Sequence, residues 1–122
     1  MSPKFKGIAW LGVKTEQFDA LCDFYENKIG LTPKYTEKEG FRVFDLPNGD
    51  RIEIFGREMV SHDHFTTGPV AGFSVDDVLE TRADMEKEGI EFIGPTQTGS
   101  ASRWAHFRGP DGNIYEITDR KV

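Results

Sequence analysis

The sequence predicts an α+β protein of two tandem βαβββ modules, at about 5–56 and 69–119, joined by a connector at 57–68. Three observations carry this prediction. Strand-like and helix-like hydrophobic periods alternate in the same order twice, each half ends in a nearly identical turn-and-strand segment, and the composition supports one ordinary core. The 122 residues are 37% hydrophobic and 30% charged, enough for a single domain spanning 1–122 without disulfide support. The two modules are expected to form a curved, barrel-like mixed sheet with a central cleft.

The first element is an apolar run from Phe5 to Val13, which reads as a strand. Thr15 then stands as a helix N-cap, followed by Phe18, Leu21, Cys22, Tyr25 and Ile29 at helical spacing and by Gly30 as the stop. Strands follow at 32–37, 41–46 and 51–56, separated by Glu39-Gly40 and Pro47-Asn48-Gly49-Asp50 turns. After the polar stretch from Arg57 to Gly68 the order returns. A strand at Val70–Val75 leads to a helix opened by Asp76 or Asp77 and closed before Gly89, then to strands near 90–94, 103–108 and 113–118.

The repeat is visible in the residues themselves. Pro47-Asn48-Gly49-Asp50-Arg51-Ile52-Glu53-Ile54 aligns without a gap on Pro110-Asp111-Gly112-Asn113-Ile114-Tyr115-Glu116-Ile117, so that Glu53 falls on Glu116. At the front of each half, Trp10-Leu11-Gly12-Val13-Lys14 lies over Val70-Ala71-Gly72-Phe73-Ser74.

Strand alternation assigns faces, because successive side chains point to opposite sides. Leu11, Val13, Ile52 and Ile54 belong under the first helix; Ala71, Phe73, Val75, Ala105, Phe107, Tyr115 and Ile117 belong under the second. The opposite faces carry Ile8, Trp10, Gly12, Arg51, Glu53 and Phe55 in the first half. In the second they carry Val70, Gly72, Ser74, Trp104, His106, Ile114 and Glu116. Arg42 falls beside Phe44 under the helix, which calls for a sheet edge where its guanidinium can snorkel to water.

Composition excludes several function classes. A net charge of −6 argues against nucleic acid as a partner. No stretch approaches the roughly 20 apolar residues that cross a bilayer, and Met1-Ser2-Pro3-Lys4-Phe5-Lys6 lacks the apolar run of a signal peptide. Cys22 stands alone, so no intrachain disulfide forms and a cytoplasmic location fits. On the buried helix stripe it reads as a core residue rather than a nucleophile. Glu80, Asp84, Glu86 and Glu88 read as solvated surface.

The chemistry-bearing residues lie on the faces away from the helices. Trp10, Phe41, Phe55 and Trp104 make an aromatic wall suited to a planar or amphipathic organic ligand, with Arg51 and His106 as its polar groups; the other reading is that the rings fill the interior. Glu53 and Glu116 are either carboxylates raised in pKa by apolar surroundings, able to act as a general base, or groups neutralised by Arg51, His106 or Arg108. His62 and His64 are surface residues of a polar connector, or part of a lid.

The paired modules, the Phe107-Arg108-Gly109-Pro110-Asp111-Gly112-Asn113-Ile114-Tyr115-Glu116 segment and Phe24-Tyr25 followed by Ile29-Gly30-Leu31 resemble the vicinal oxygen chelate superfamily. That superfamily is also called the glyoxalase, bleomycin-resistance and extradiol-dioxygenase superfamily. The likeness spans about Phe5 to Asp119. In its metal-using members the resemblance implies one ligand from the first strand and one from the last strand of each module. Those positions are Trp10, Glu53, Val70 and Glu116 here. Trp10 and Val70 offer no lone pair to a divalent ion. The resemblance therefore implies a metal-free small-molecule-binding protein of the bleomycin-resistance type, a homodimer, with no cofactor. The alternative is a lyase, isomerase or dioxygenase of the glyoxalase type using one divalent metal held by Glu53, Glu116 and His106. A metal-free enzyme with Glu53 or Glu116 as base is a third.

Overall fold

The computed structural model describes residues 5–34 and 38–120. Its strands are β1 (Gly7–Lys14), β2 (Thr32–Lys34), β3 (Phe41–Asp45), β4 (Arg51–Phe55), β5 (Val70–Ser74), β6 (Phe92–Thr98), β7 (Arg103–Arg108) and β8 (Ile114–Thr118). Helix α1 (Phe18–Asp23) lies between β1 and β2, and α2 (Val78–Lys87) between β5 and β6. The fold is α+β, with the βαβββ order running twice. The chain divides into two units, Trp10–Pro69 and Val70 onward together with the residues up to Ala9.

In the first unit the strand order is β2-β3-β4-β1. β1 pairs with β4 in parallel, Gly12 opposite Glu53, and β3 pairs with β2 and β4 antiparallel. The second unit repeats this as β5-β8-β7-β6, with β5 parallel to β8, Gly72 opposite Glu116, and β7 antiparallel to β8 and β6. The equivalence of Gly12–Glu53 and Gly72–Glu116 is the structural form of the sequence repeat.

Each helix covers one face of its strands, as alternation requires. In the first unit Cys22, Phe44 and Ile54 are buried, with Val13, Phe18, Leu21, Tyr25, Leu31 and Ile52 packed around them. In the second, Val75, Val78, Ala105, Phe107 and Ile117 form the buried group, and Phe5, Phe73, Met85, Ile90, Phe92 and Tyr115 surround it. Phe44, Ile54 and Ile117 have no exposed surface, and each such side chain contributes about 1.5–3 kcal/mol.

Several boundaries differ from expectation. Thr15 is not the N-cap: its Oγ1 accepts the Gln17 N–H at 3.0 Å in a turn, and α1 begins only at Phe18. α1 then gives way to a π-helical turn, Phe24–Ile29, that ends at Gly30 with φ 87°. The wider turn shifts the register, so Tyr25 packs 5.7 Å from Phe44 while Phe24 and Ile29 are about half exposed. Ile29 therefore leaves the buried stripe. Leu11 is 44% exposed, because the short α1 roofs Val13 and Ile54 and does not reach two residues farther back.

Arg42 lies on β3, between β2 and β4, and not at an edge; its guanidinium sits 5.8 Å from the Phe18 ring centroid. The expected extension of β2 to 37 falls outside the described residues. β6 begins at Phe92 and runs past Gly94-Pro95, which take up a register shift between Ile93 and Gln97; the predicted stop at 94 is a bulge. Asp77 is the N-cap of α2, accepting the Glu80 N–H at 3.0 Å. The connector contains a 3₁₀ turn, Val60–His62.

Candidate functional site

In the first unit the face away from α1 is built around Trp10 and Phe55. Trp10 is 3% exposed and its ring meets Phe55 edge-on, with centroids 5.9 Å apart. Gly12 makes this possible, since a Cβ there would lie 3.0 Å from the Trp10 ring and collide with the Glu53 carbonyl across the β1–β4 ladder. Phe41, opposite Phe55 in the β3–β4 register, stacks on it at 5.3 Å with planes 12° apart. Glu53, two residues before Phe55 and on the same face, is buried and has Arg51 Nη1 3.5 Å from Oε2. Trp10, Phe41, Arg51, Glu53 and Phe55 are thus brought together within one unit.

The sequence did not point to what completes this cluster. His62 lies parallel to Phe55 at 4.0 Å, with planes 12° apart, and is 9% exposed. Phe65 is 3% exposed and stands edge-on to both Phe55 and His62, at 5.9 and 5.1 Å. Of the two readings of the connector histidines, surface or lid, the surface reading is corrected for His62, which is buried in the ring cluster; His64 is half-buried, 4.9 Å from Phe65. The available signal was Phe65, an aromatic residue in an otherwise polar segment.

In the second unit the face away from α2 carries a buried polar pair. His106 on β7 and Glu116 on β8 are register partners, 5% and 4% exposed, and His106 Nε2 is 2.9 Å from Glu116 Oε1. Burial pushes the imidazole pKa down to about 4, so His106 is neutral at neutral pH. The two side chains share a hydrogen bond whose direction follows the tautomer of the neutral imidazole. Ser74 and Thr118, also buried, are paired on the adjoining strands, and the Thr118 hydroxyl donates to the Arg103 carbonyl at 3.1 Å. Trp104 lies two residues before His106, half-buried, with the missing Cβ of Gly99 2.9 Å from its ring. Arg108 points elsewhere, toward Glu91 at 3.7 Å. Cys22 is buried and its thiol pKa is raised, first by burial.

Of the four positions that the resemblance assigns to metal, Trp10 and Val70 carry no ligand atom, and the two carboxylates have protein partners. Trp10 is packed among rings and Val70 is fully buried and apolar; Glu53 faces the Arg51 cation and Glu116 the His106 imidazole. Within either unit, no three His, Cys, Asp or Glu side chains among the described residues are grouped to hold an ion. Among those residues no helix is long and apolar enough to cross a membrane.

Comparison with known proteins agrees with this architecture. YraH, an uncharacterized protein of Bacillus subtilis (strain 168), is 28% identical over 114 residues, covering 82% of this chain and 88% of its own. Methylmalonyl-CoA epimerase from Mycobacterium tuberculosis is similar in fold, with a TM-score of 0.70 at 16% identity over 100% of this chain and 93% of the epimerase. A glyoxalase/bleomycin resistance protein/dioxygenase superfamily member from Vibrio splendidus 12B01 gives a TM-score of 0.69 at 13% identity, over 89% and 95% of the two chains. The superfamily's sequence profile matches residues 7–117. With both units built as βαβββ and nearly the whole chain matched, this protein belongs to the Glyoxalase/Bleomycin resistance protein/Dioxygenase superfamily.

Proposed function

We propose that this chain is a metal-free member of its superfamily that binds a small planar or amphipathic organic molecule and sequesters it. The observation that carries the reading is Trp10, which stands where metal-using members place a first-strand ligand and is buried against Phe55 and Phe65. Rings with polarizable faces and few charges favour flat organic ligands, and an ion pair such as Arg51–Glu53 supplies orientation. No cofactor is required by this reading. The protein acts in the cytoplasm with neither nucleic acid nor membrane as partner, which the charge of −6 and the single cysteine support, and as a homodimer, which its resemblance to bleomycin-resistance proteins implies.

The test is ligand screening by tryptophan fluorescence with Trp104→Phe, which leaves Trp10 as reporter, and Trp10→Phe, which leaves Trp104. Saturable quenching in the Trp10-reporting protein is the expected result. No saturable response in either protein contradicts the reading.

A second reading is favoured by the His106–Glu116 pair. A buried imidazole paired with a carboxylate at 2.9 Å joins two groups able to carry a proton, which suits a metal-free acid–base enzyme. Turnover of any compound found in the screen, abolished in Glu116→Gln, would replace sequestration with catalysis.

A further inference from the structure

The connector is polar and largely in water, yet it places two rings against the Trp10–Phe55 wall. Val60 is 70% exposed, and Ser61, Asp63, Thr66 and Thr67 are exposed as well. The backbone hydrogen bonds described within it are local: His62 N–H to the Met59 carbonyl, Asp63 N–H to Val60 and Phe65 N–H to His62, at 3.0–3.1 Å. They would travel with the segment if it moved. Side chains tie it to the strands. His62 and Phe65 lie on Phe55, and Lys14 at the end of β1 donates to the Met59 carbonyl at 3.0 Å and to the Asp63 carboxylate.

We infer that residues 57–69 form a removable strap, and that the His62 imidazole holds the slot on Phe55 that a planar heteroaromatic ligand takes when the strap swings out. The inference deepens the small-molecule reading above and rests on it. His62 is itself a flat nitrogen heterocycle lying 12° from parallel with Phe55, so a ring of similar size and chemistry regains the same stacking surface. The latch is weak: Asp63 is 66% exposed on its side chain, and an ion pair with one partner so wet contributes little. A segment with few buried side chains and local hydrogen bonds opens at the low end of the stability range. The ligand class is a five- or six-membered nitrogen heterocycle or a fused ring containing one.

Imidazole is the probe, with Trp104→Phe as background so that Trp10 alone reports. His62→Ala empties the slot and should bind imidazole at least tenfold more tightly than the parent; Asp63→Ala, an exposed substitution that leaves the ring cluster intact, should bind it about threefold more tightly. Trypsin cleavage after Arg57 should accelerate severalfold in Asp63→Ala and in the parent saturated with imidazole. Equal affinity in all three proteins, or cleavage unchanged by both substitution and probe, overturns the inference. If that happens while other aromatic compounds still quench Trp10, the strap is wrong and the binding reading stands; if nothing quenches Trp10, both are wrong.

Discussion

His106 and Glu116 face each other across the β7–β8 ladder at 2.9 Å, both buried, and the imidazole is neutral at neutral pH. The unfolded chain has its histidine pKa near 6.5, against about 4 in the fold. Between those values the unfolded state binds more protons, so stability falls as pH falls through this window. The expected loss attributable to His106 is about 2 kcal/mol between pH 7 and pH 5. Urea unfolding of the native protein and of His106→Gln at both pH values isolates it, since the remaining groups are common to the two. An identical pH slope in both proteins would show that His106 is not held neutral.

Gly12 and Gly68 separate close packing from mere loop composition. A Cβ on Gly12 meets the Glu53 carbonyl and the Trp10 ring, whereas one on Gly68 meets nothing within 4 Å. Gly12→Ala is expected to destabilise by about 2–3 kcal/mol, and Gly68→Ala by less than about 0.5. Thermal unfolding of the two variants decides the matter, and equal effects would remove Gly12 from the account of how Trp10 is seated.

Among the rings, Phe55 is central and Phe41 terminal. Phe55 is 2% exposed and contacts Trp10, Phe41, His62 and Phe65, while Phe41 is half-buried. Phe55→Ala should lose about 3–5 kcal/mol, Phe41→Ala clearly less. Denaturant midpoints in the reverse order would contradict the hierarchy.

Asp76 and Asp77 both suit the start of α2 by residue type, and the fold gives them different work. Asp77 accepts the Glu80 N–H; Asp76 pairs with Lys6 where both are exposed. Asp77→Ala is expected to destabilise by about 1 kcal/mol and Asp76→Ala by no more than about half of that. Chemical denaturation of both variants measures the difference.

Much of this molecule is legible in its sequence because period-2 alternation fixes faces once a helix fixes one of them. That rule put Trp10, Glu53 and Phe55 on one face, and His106 and Glu116 on another, before any distance was known. It failed where local pattern is not the deciding force. Gly94-Pro95 reads as a strand end, yet a bulge lets Gln97 and Thr98 pair again with Trp104 and Arg103. Ile29 has helical spacing, but the π turn before Gly30 rotates it into water. His62 and Phe65 lie in a segment without periodicity, so their burial on Phe55 is a tertiary outcome that only a fold displays.

The proposed metal-free site is tested most directly by elemental mass spectrometry of the purified protein after dialysis against Zn, Ni, Mn and Fe(II). The expected result is metal far below one equivalent per chain, with ligand quenching of Trp10 unchanged by a chelator. Near-stoichiometric metal that disappears in Glu53→Gln and Glu116→Gln would contradict it, and would assign those carboxylates, with His106, to a metal-dependent enzyme.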